Sequence, residues 1–513
     1  MGLGRASAVA LVGLQGALVD VEADISSGLF VFLIGGLPDA ACRQSAERIK
    51  AAAANSGVRL PPHRITVNLS PASLPKAGSG FDLGIAVAVL AAAGELPGPV
   101  AQDAVHVGEL SLDGTIRPVR GVLPMVAAAA RLGAHRVVVS PGNATEAGLV
   151  PGVEVVPVDD LRSLVEAYRG AARGEPLPSY SPPPGQAADQ PTKLGRDLCD
   201  VVGQAEARAA LEIAAAGGHH LLMVGPPGAG KTMLAECLPS LLPPLGSDDA
   251  LEVTAIHSVL GRLPQGALVT RPPFVAPHHG ASMAAVIGGG AGTIRPGLIS
   301  QAHRGVLFLD EAPEFGAAVL QALRQPLESG RVVVARANAS VAFPARFQLV
   351  LAANPCPCGQ GHGKGLSCSC SPRARRDYLG RLAGPLLDRV DLQLAVPPVT
   401  RAATVGPPPE RSQVVARRVD AARAAQASRW QDTPWRLNAN VPGPKLRAAP
   451  WRLPVASTTG IDRALERGAL TLRGYDRVLR LTWTIADLAG RERPGPDDVA
   501  WAFTLRAHAG VAA

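Results

Sequence analysis

Long apolar runs are missing from this 513-residue chain. No stretch reaches the roughly 18 uninterrupted apolar residues that a membrane-spanning helix needs, so no membrane partner is expected. An export signal is missing as well. Met1-Gly2-Leu3-Gly4-Arg5 leads to Asp20, Glu22 and Asp24, not to a charged-then-apolar segment ending in a small-residue cleavage site. A cytoplasmic location is the expectation. Charge is sparse: charged residues make up 18% against 47% hydrophobic, which excludes a disordered chain and describes a folded protein with ample core. Lysine is scarce beside arginine, a pattern of coding bias rather than of function. Cysteine is also rare, with seven in all, yet four of the seven fall between positions 356 and 370.

The length calls for several domains. Residues 1–172 are rich in alanine, glycine and valine. Short apolar runs there (Phe30–Ile34, Ile65–Leu69, Arg136–Val139) alternate with helical patterns over Ala40–Ala54 and Leu83–Ala93, which reads as α/β. Residues 173–194, with Ser181-Pro182-Pro183-Pro184-Gly185 at their centre, have too few apolar side chains to pack and read as an extended linker. Residues 195–400 carry the chemistry described below. Residues 401–513 place arginine and alanine at helical spacing and read as all-helical, with a proline-rich break at Pro442–Pro454. That last segment holds 18 Lys/Arg against 10 Asp/Glu, an excess equal to the +8 of the whole chain. Clustered positive charge suits contact with a polyanion, or is an arginine-rich solvated surface.

Gly225-Pro226-Pro227-Gly228-Ala229-Gly230-Lys231-Thr232 follows the apolar run Leu221–Val224 and leads into a helical pattern. Strand, glycine-rich loop and helix in this order form a phosphate cradle, in which main-chain N–H groups face a nucleoside triphosphate. Lys231 would reach the β- and γ-phosphates, and Thr232 would hold Mg²⁺. Val306-Leu307-Phe308-Leu309 then delivers Asp310 and Glu311 to the end of a central parallel strand. Asp310 suits a Mg²⁺ ligand and Glu311 a base for the attacking water. The run Phe347–Ala353 ends at Asn354-Pro355, where Asn354 either orients that water or simply forms a turn before proline. Arg389, between Asp388 and Asp391, is either a charge-stabilising finger for a neighbouring subunit's ATP or a surface ion-pair residue.

Taken in order, the phosphate loop, Leu309-Asp310-Glu311, Asn354-Pro355 and Leu386-Leu387-Asp388-Arg389 resemble the AAA+ ATPases of the magnesium-chelatase-like branch, and within it the YifB/ComM family. Ala276-Pro277-His278-His279, Ser282-Met283, Gly288-Gly289-Gly290, Arg295-Pro296-Gly297 and Asp200-Val201-Val202-Gly203-Gln204 carry the same resemblance, which spans essentially the whole chain. It implies a multidomain α/β protein with a central AAA+ P-loop domain and a C-terminal helical lid. It implies that Val201 and Val202 line the adenine pocket, that Asn354 is the sensor-1 residue, that Arg389 is the finger, and that Arg473 is the sensor-2 arginine of the lid. A finger acting in trans implies a homo-oligomeric ring, a hexamer. Residues around 271–297 are expected as a projecting hairpin. The implied function is an ATP-driven motor on branched or single-stranded DNA, as in branch migration during recombination or transformation. A magnesium-chelatase-type motor for tetrapyrroles is the alternative, argued against by the expectation that such subunits lack the N-terminal block.

Cys356-Pro357-Cys358 and Cys368-Ser369-Cys370 supply four thiolates, enough to close a tetrahedral Zn²⁺ site, with His362 as a substitute ligand. The pairs are tighter than the usual Cys-x₂-Cys, and thiols with no shared ligand are the other reading. His278 and His279 suggest a metal, although adjacent loop residues rarely face one ion. Cys42, Cys199 and Cys237 are isolated and expected to be buried. Pro75–Leu83 and Gly108–Gly114 resemble the proteolytic domain of Lon-type proteases, of ribosomal-protein-S5-like fold. Ser79 lies near the nucleophile position, but Val122-Leu123-Pro124-Met125 stands where the lysine base is expected. A serine without its base is not activated, so a protease is disfavoured and the block reads as degenerate.

Overall fold

The structure, a computed structural model, describes residues 2–181, 196–263, 267–290, 294–336, 339–361, 368–382, 384–400 and 408–507. The chain is α/β. A seven-stranded mixed sheet occupies its first part, in the order Phe32–Gly35, Arg64–Ser70, Gln15–Ser26, Leu3–Val12, Val105–Val107, Arg136–Val139, Glu154–Pro157. Strand Arg64–Ser70 buries Ile65, Val67 and Leu69 and exposes the residues between, the period of two that places alternate side chains on opposite faces. The largest departure from the sequence reading lies at the start. Leu3–Val12 and Gln15–Ser26 form a long antiparallel hairpin, pairing from Leu3 with Asp24 to Val12 with Gln15. Its inward residues include the small side chains Ala6, Ala8 and Ala10, so no bulky apolar run marks it. Small residues suit its neighbour, the buried helix Asp82–Ala92, which comes close enough that a Cβ on Gly4 would stand 2.0 Å from the Ala88 carbonyl oxygen. The expected helix over 40–54 is two helices, Ala40–Arg43 and Ser45–Asn55.

A second sheet has five strands in the order Phe274–Val275, Val306–Leu309, Gln348–Ala353, Leu221–Val224, Leu392–Ala395, each paired in parallel with its neighbours. Every residue of the three middle strands is buried, as parallel strands covered on both faces require. Leu221, Met223, Phe308 and Val350 face a core shared with Leu211, Leu238 and the C-terminal helices, while Leu222, Leu307, Leu349 and Leu351 face Leu320, Phe343 and Leu386. Phe274–Val275 is the edge strand of this sheet. Among the described residues of 271–297 the antiparallel pairing is that of Gly288–Gly289 with Arg295–Pro296, while Phe274–Val275 is used as sheet.

Residues 408–507 are helical, with Ser412–Arg429, Gly443–Arg447, Val455–Glu466, Leu472–Leu488 and Pro496–Ala507. The proline-rich break holds one short helix, and Pro454 begins the next. Trp430, Trp451 and Trp483 pack with ring centroids 4.7 and 5.7 Å apart. These helices are tied to the five-stranded sheet by a buried carboxylate. Asp391 accepts Arg477 Nη1 at 2.5 Å and the His220 N–H at 3.2 Å, and Arg506 donates to the Val390 carbonyl at 2.7 Å. Burial alone would raise the Asp391 pKa, but the Arg477 guanidinium and the neighbouring His219 and His220 hold it well below the usual carboxylate range. Removing one partner of a buried pair strands the other, so Asp391→Ala should cost about 3–5 kcal/mol, read as a lower denaturant midpoint. Because the folded pKa is depressed, this contribution is present above the unfolded value of about 3.9. It is lost as pH falls below that value towards the folded pKa.

The two sheet regions also touch. The hairpin turn at Gly13 comes close enough that a Cβ there would stand 2.5 Å from Val341 Cγ1. Glu146 accepts hydrogen bonds from Ser258 Oγ and, at 2.9 Å, from the Leu123 N–H. Gly121 N–H donates to the Ser258 carbonyl at 3.3 Å. Ala255 and Leu251, on helix Ser247–Leu260, pack into the core formed by Val105, Val122, Val126 and Val139.

Candidate nucleotide site

Strand Leu221–Val224 stops at Gly225, where a Cβ would lie 2.2 Å from the Val396 carbonyl oxygen, so the loop must leave the sheet on a glycine. Gly228 and Gly230 adopt φ of +79° and +89°, and helix Lys231–Leu241 begins immediately after them. No protein acceptor takes the N–H of Gly228 or Gly230 among the described residues, and space is open where their Cβ atoms would be. Unpaired amides at a helix N-terminus, with room beside them, fit a polyphosphate.

Lys231 is buried, and its ammonium donates to the carbonyls of Gly225 at 2.6 Å and Pro226 at 2.9 Å and to Asn354 Oδ1 at 3.2 Å. Burial lowers its pKa, opposed by the charges of Asp310 and Glu311. Strand Gln348–Ala353, which carries Asn354 at its tip, lies between the strands bearing the loop and the two acids. Thr232 Oγ1 donates to Asp310 Oδ2 at 2.8 Å, joining a hydroxyl and a carboxylate 78 positions apart. A hard divalent ion such as Mg²⁺ takes oxygen ligands of this kind, and these two residues would hold it.

Glu311 sits at φ +49°, a left-handed conformation rare outside glycine. Its half-exposed carboxylate faces His279, with Nδ1 3.6 Å from Oε2. His279 in turn packs on the ring of His278, centroids 4.1 Å apart. Nothing in the spacing of His279 signals this neighbour; the two histidines show no third metal-ligating partner among the described residues. Gln204, quoted above only for the resemblance, has a role that sequence reasoning did not assign. Its Nε2 donates to the carbonyls of Ala229 at 3.2 Å and Pro397 at 2.5 Å, pinning the Val201–Gln204 segment to the phosphate loop. Val201 is buried and Val202 is exposed.

Arg389 and Arg473 stand apart from this cluster. Arg389 is largely buried and paired with Glu328 of its own chain. Arg473, at the start of helix Leu472–Leu488, is exposed and has no ion-pair partner among the described residues, whereas Arg477 on the same helix holds Asp391. The four clustered cysteines do meet: the sulfurs of Cys356, Cys358, Cys368 and Cys370 all lie within 4.8 Å of one another. His362 lies outside the described residues. Cys42 and Cys237 are buried, but Cys199 is only partly so, because it lies in the short 3₁₀ turn Leu198–Asp200 at the surface. In the N-terminal sheet region Ser79 Oγ donates to Glu109, while buried Lys76 gives its ammonium to the carbonyls of Leu69 and Pro71. These hydrogen bonds do not join the two residues.

Three family models match the chain: magnesium chelatase, subunit ChlI, over residues 197–404; subunit ChlI of Mg-chelatase over 21–143; and the ChlI C-terminal model over 409–506. A model described as a chelatase subunit thus matches the N-terminal block as well as the later regions. An uncharacterised protein of Mycobacterium tuberculosis is 50% identical over 512 residues, covering 99% of both chains. The YifB protein of Escherichia coli is 40% identical over 482 residues, covering 93% of this chain and 92% of its own. Competence protein ComM of Haemophilus influenzae is 40% identical over 502 residues, covering 97% and 96%. Matched by these models and 40% identical to YifB and ComM over more than nine-tenths of its length, the chain belongs to the magnesium-chelatase-like YifB/ComM family.

Proposed function

We propose that the chain is an AAA+ ATPase that binds and hydrolyses ATP with Mg²⁺ and works as a homohexameric ring motor on DNA. The observation that supports it most is the convergence of three strand ends. Lys231 and Thr232 of the phosphate loop are hydrogen-bonded to Asn354 and Asp310 of the neighbouring strands. In this reading Gly225–Thr232 cradle the phosphates, Val201 and Val202 flank the adenine, and Thr232 and Asp310 hold Mg²⁺, which supplies charge neutralisation at the transferring phosphoryl group. Glu311 takes the proton of the attacking water, Asn354 orients that water, and Arg389 and Arg473 stabilise the charge that develops. A Zn²⁺ on Cys356, Cys358, Cys368 and Cys370 is structural. Residues 1–172 form a non-peptidase Lon-like domain, 195–400 the ATPase and 401–513 the lid, joined by the linker 173–194, in a cytoplasmic protein.

The DNA part of the reading is supported by likeness to a competence protein and by the charge excess of residues 401–513. Branched or single-stranded DNA should stimulate ATP turnover of the full chain, and the DNA complex should weaken steeply with salt as counterions are released. Turnover unmoved by saturating DNA of every form, with no complex at low salt, would sink the DNA motor. The family descriptions keep a second reading in place, a chelatase-type motor for tetrapyrrole metal insertion. Turnover stimulated by a tetrapyrrole and not by DNA would select it.

A further inference from the structure

We infer that the four-cysteine centre governs the phosphate loop, so that metal occupancy at Cys356, Cys358, Cys368 and Cys370 sets nucleotide affinity at Gly225–Thr232. The inference rests on the zinc and nucleotide readings above and adds their coupling. The sulfurs of Cys356 and Cys358 are 3.3 Å apart, and each is 3.6 Å from that of Cys368. A disulfide would bring two sulfurs to about 2.05 Å. Four thiolates at about 2.3 Å from one tetrahedral ion would stand roughly 3.8 Å apart. The thiols are thus gathered about a common point and not paired. The main chain attends them: the Gly361 N–H donates to Cys356 Sγ at 3.2 Å, as outer-shell donors to metal-bound thiolates do. A Cβ at Gly361 would stand 3.0 Å from that sulfur, so a larger residue would crowd it.

The centre also touches the nucleotide machinery at two points. Cys356 follows Asn354 by two residues, and Asn354 is bonded to Lys231. The turn from Cys356 to Gly359 is closed by the Gly359 N–H on the Cys356 carbonyl at 3.0 Å. Gly359 has φ +77°, and a Cβ there would lie 2.8 Å from both Cγ and Cδ of Pro227. The backbone of the metal turn therefore rests on the proline ring of the phosphate loop. An ion that fixes Cys356 and Cys358 fixes this turn and limits where Pro227 can move.

The test uses the full chain. Metal analysis should find one Zn²⁺ per chain, and exchange for Co²⁺ should give the visible bands of tetrahedral thiolate-bound cobalt. Stripping with a chelator should weaken binding of a fluorescent ADP analogue by roughly ten-fold or more, and added Zn²⁺ should restore it. Cys368→Ser should lose both metal and affinity. Gly359→Ala should keep the metal and still lose affinity, which separates coupling from folding. Absence of bound metal together with absence of cobalt bands overturns the inference. So does a stripped chain with unchanged circular dichroism and unchanged ADP affinity. A zinc-loaded chain that binds no ADP analogue overturns the nucleotide reading and this inference with it, a result distinct from lost coupling.

Discussion

Glu311→Gln leaves ATP bound and lowers turnover by about 10²–10⁴-fold, the range over which a positioned general base acts. At 1.36 kcal/mol per factor of ten, this is about 3–5 kcal/mol of barrier. The selectivity follows from the geometry. Lys231 is bonded to Asn354 and to the carbonyls of Gly225 and Pro226, Thr232 is bonded to Asp310, and none of those bonds uses the Glu311 side chain. Only its main-chain N–H takes part, donating to Asp310 Oδ1 at 2.9 Å, and glutamine retains that group. The substitution keeps the side chain's volume and its place near His279 while removing the proton acceptor. Equilibrium binding of a fluorescent ATP analogue and single-turnover hydrolysis separate the two effects. Wild-type turnover in the variant would take the base role away from Glu311.

Arg389→Ala should be more damaging to turnover, about 10³–10⁵-fold if the guanidinium serves a neighbour's phosphoryl group. Nucleotide affinity should hold, because no bond of Arg389 reaches the phosphate loop of its own chain. Its present partners are the well-exposed Glu328 and the Pro385 carbonyl, so serving a neighbouring subunit's nucleotide would mean exchanging these local contacts. Mixing Arg389→Ala with Lys231→Ala chains should recover part of the activity, since some interfaces then combine an intact loop with an intact finger. Failure of every mixture to exceed the two parents would count against action across an interface, and so would an unimpaired Arg389→Ala variant.

The three central strands of the five-stranded sheet were readable because parallel strands covered on both faces are short, largely apolar runs, whereas the edge strands Phe274–Val275 and Leu392–Ala395 were not read. Leu221–Val224, Val306–Leu309 and Gln348–Ala353 each lead directly into the residues whose chemistry drew attention to them: the phosphate loop, Asp310 and Asn354. The Leu3–Ser26 hairpin was not readable, because its inward face is built partly of alanines chosen by a helix some 80 positions away. Long-range packing sets such a face, not local propensity. Helical periodicity announced helix Leu472–Leu488 but could not distinguish Arg473 from Arg477. Only the tertiary structure places one at the surface and the other on buried Asp391. The proximity of His279 to Glu311 had no sequence signal at all, since loop residues carry no period from which a neighbour can be read.

The contacts between the two sheet regions bear on what the polypeptide link between them contributes. Ala255 is buried among valines of the N-terminal region, Glu146 is spanned by Ser258, and the Gly13 turn lies on Val341. Burial also raises the Glu146 pKa, so parting the regions would expose an apolar patch and return this carboxylate to water. Severing the covalent link between Ser181 and Arg196 would therefore leave these contacts in place. The two fragments would remain docked and migrate as one particle until denaturant dissolved the seam.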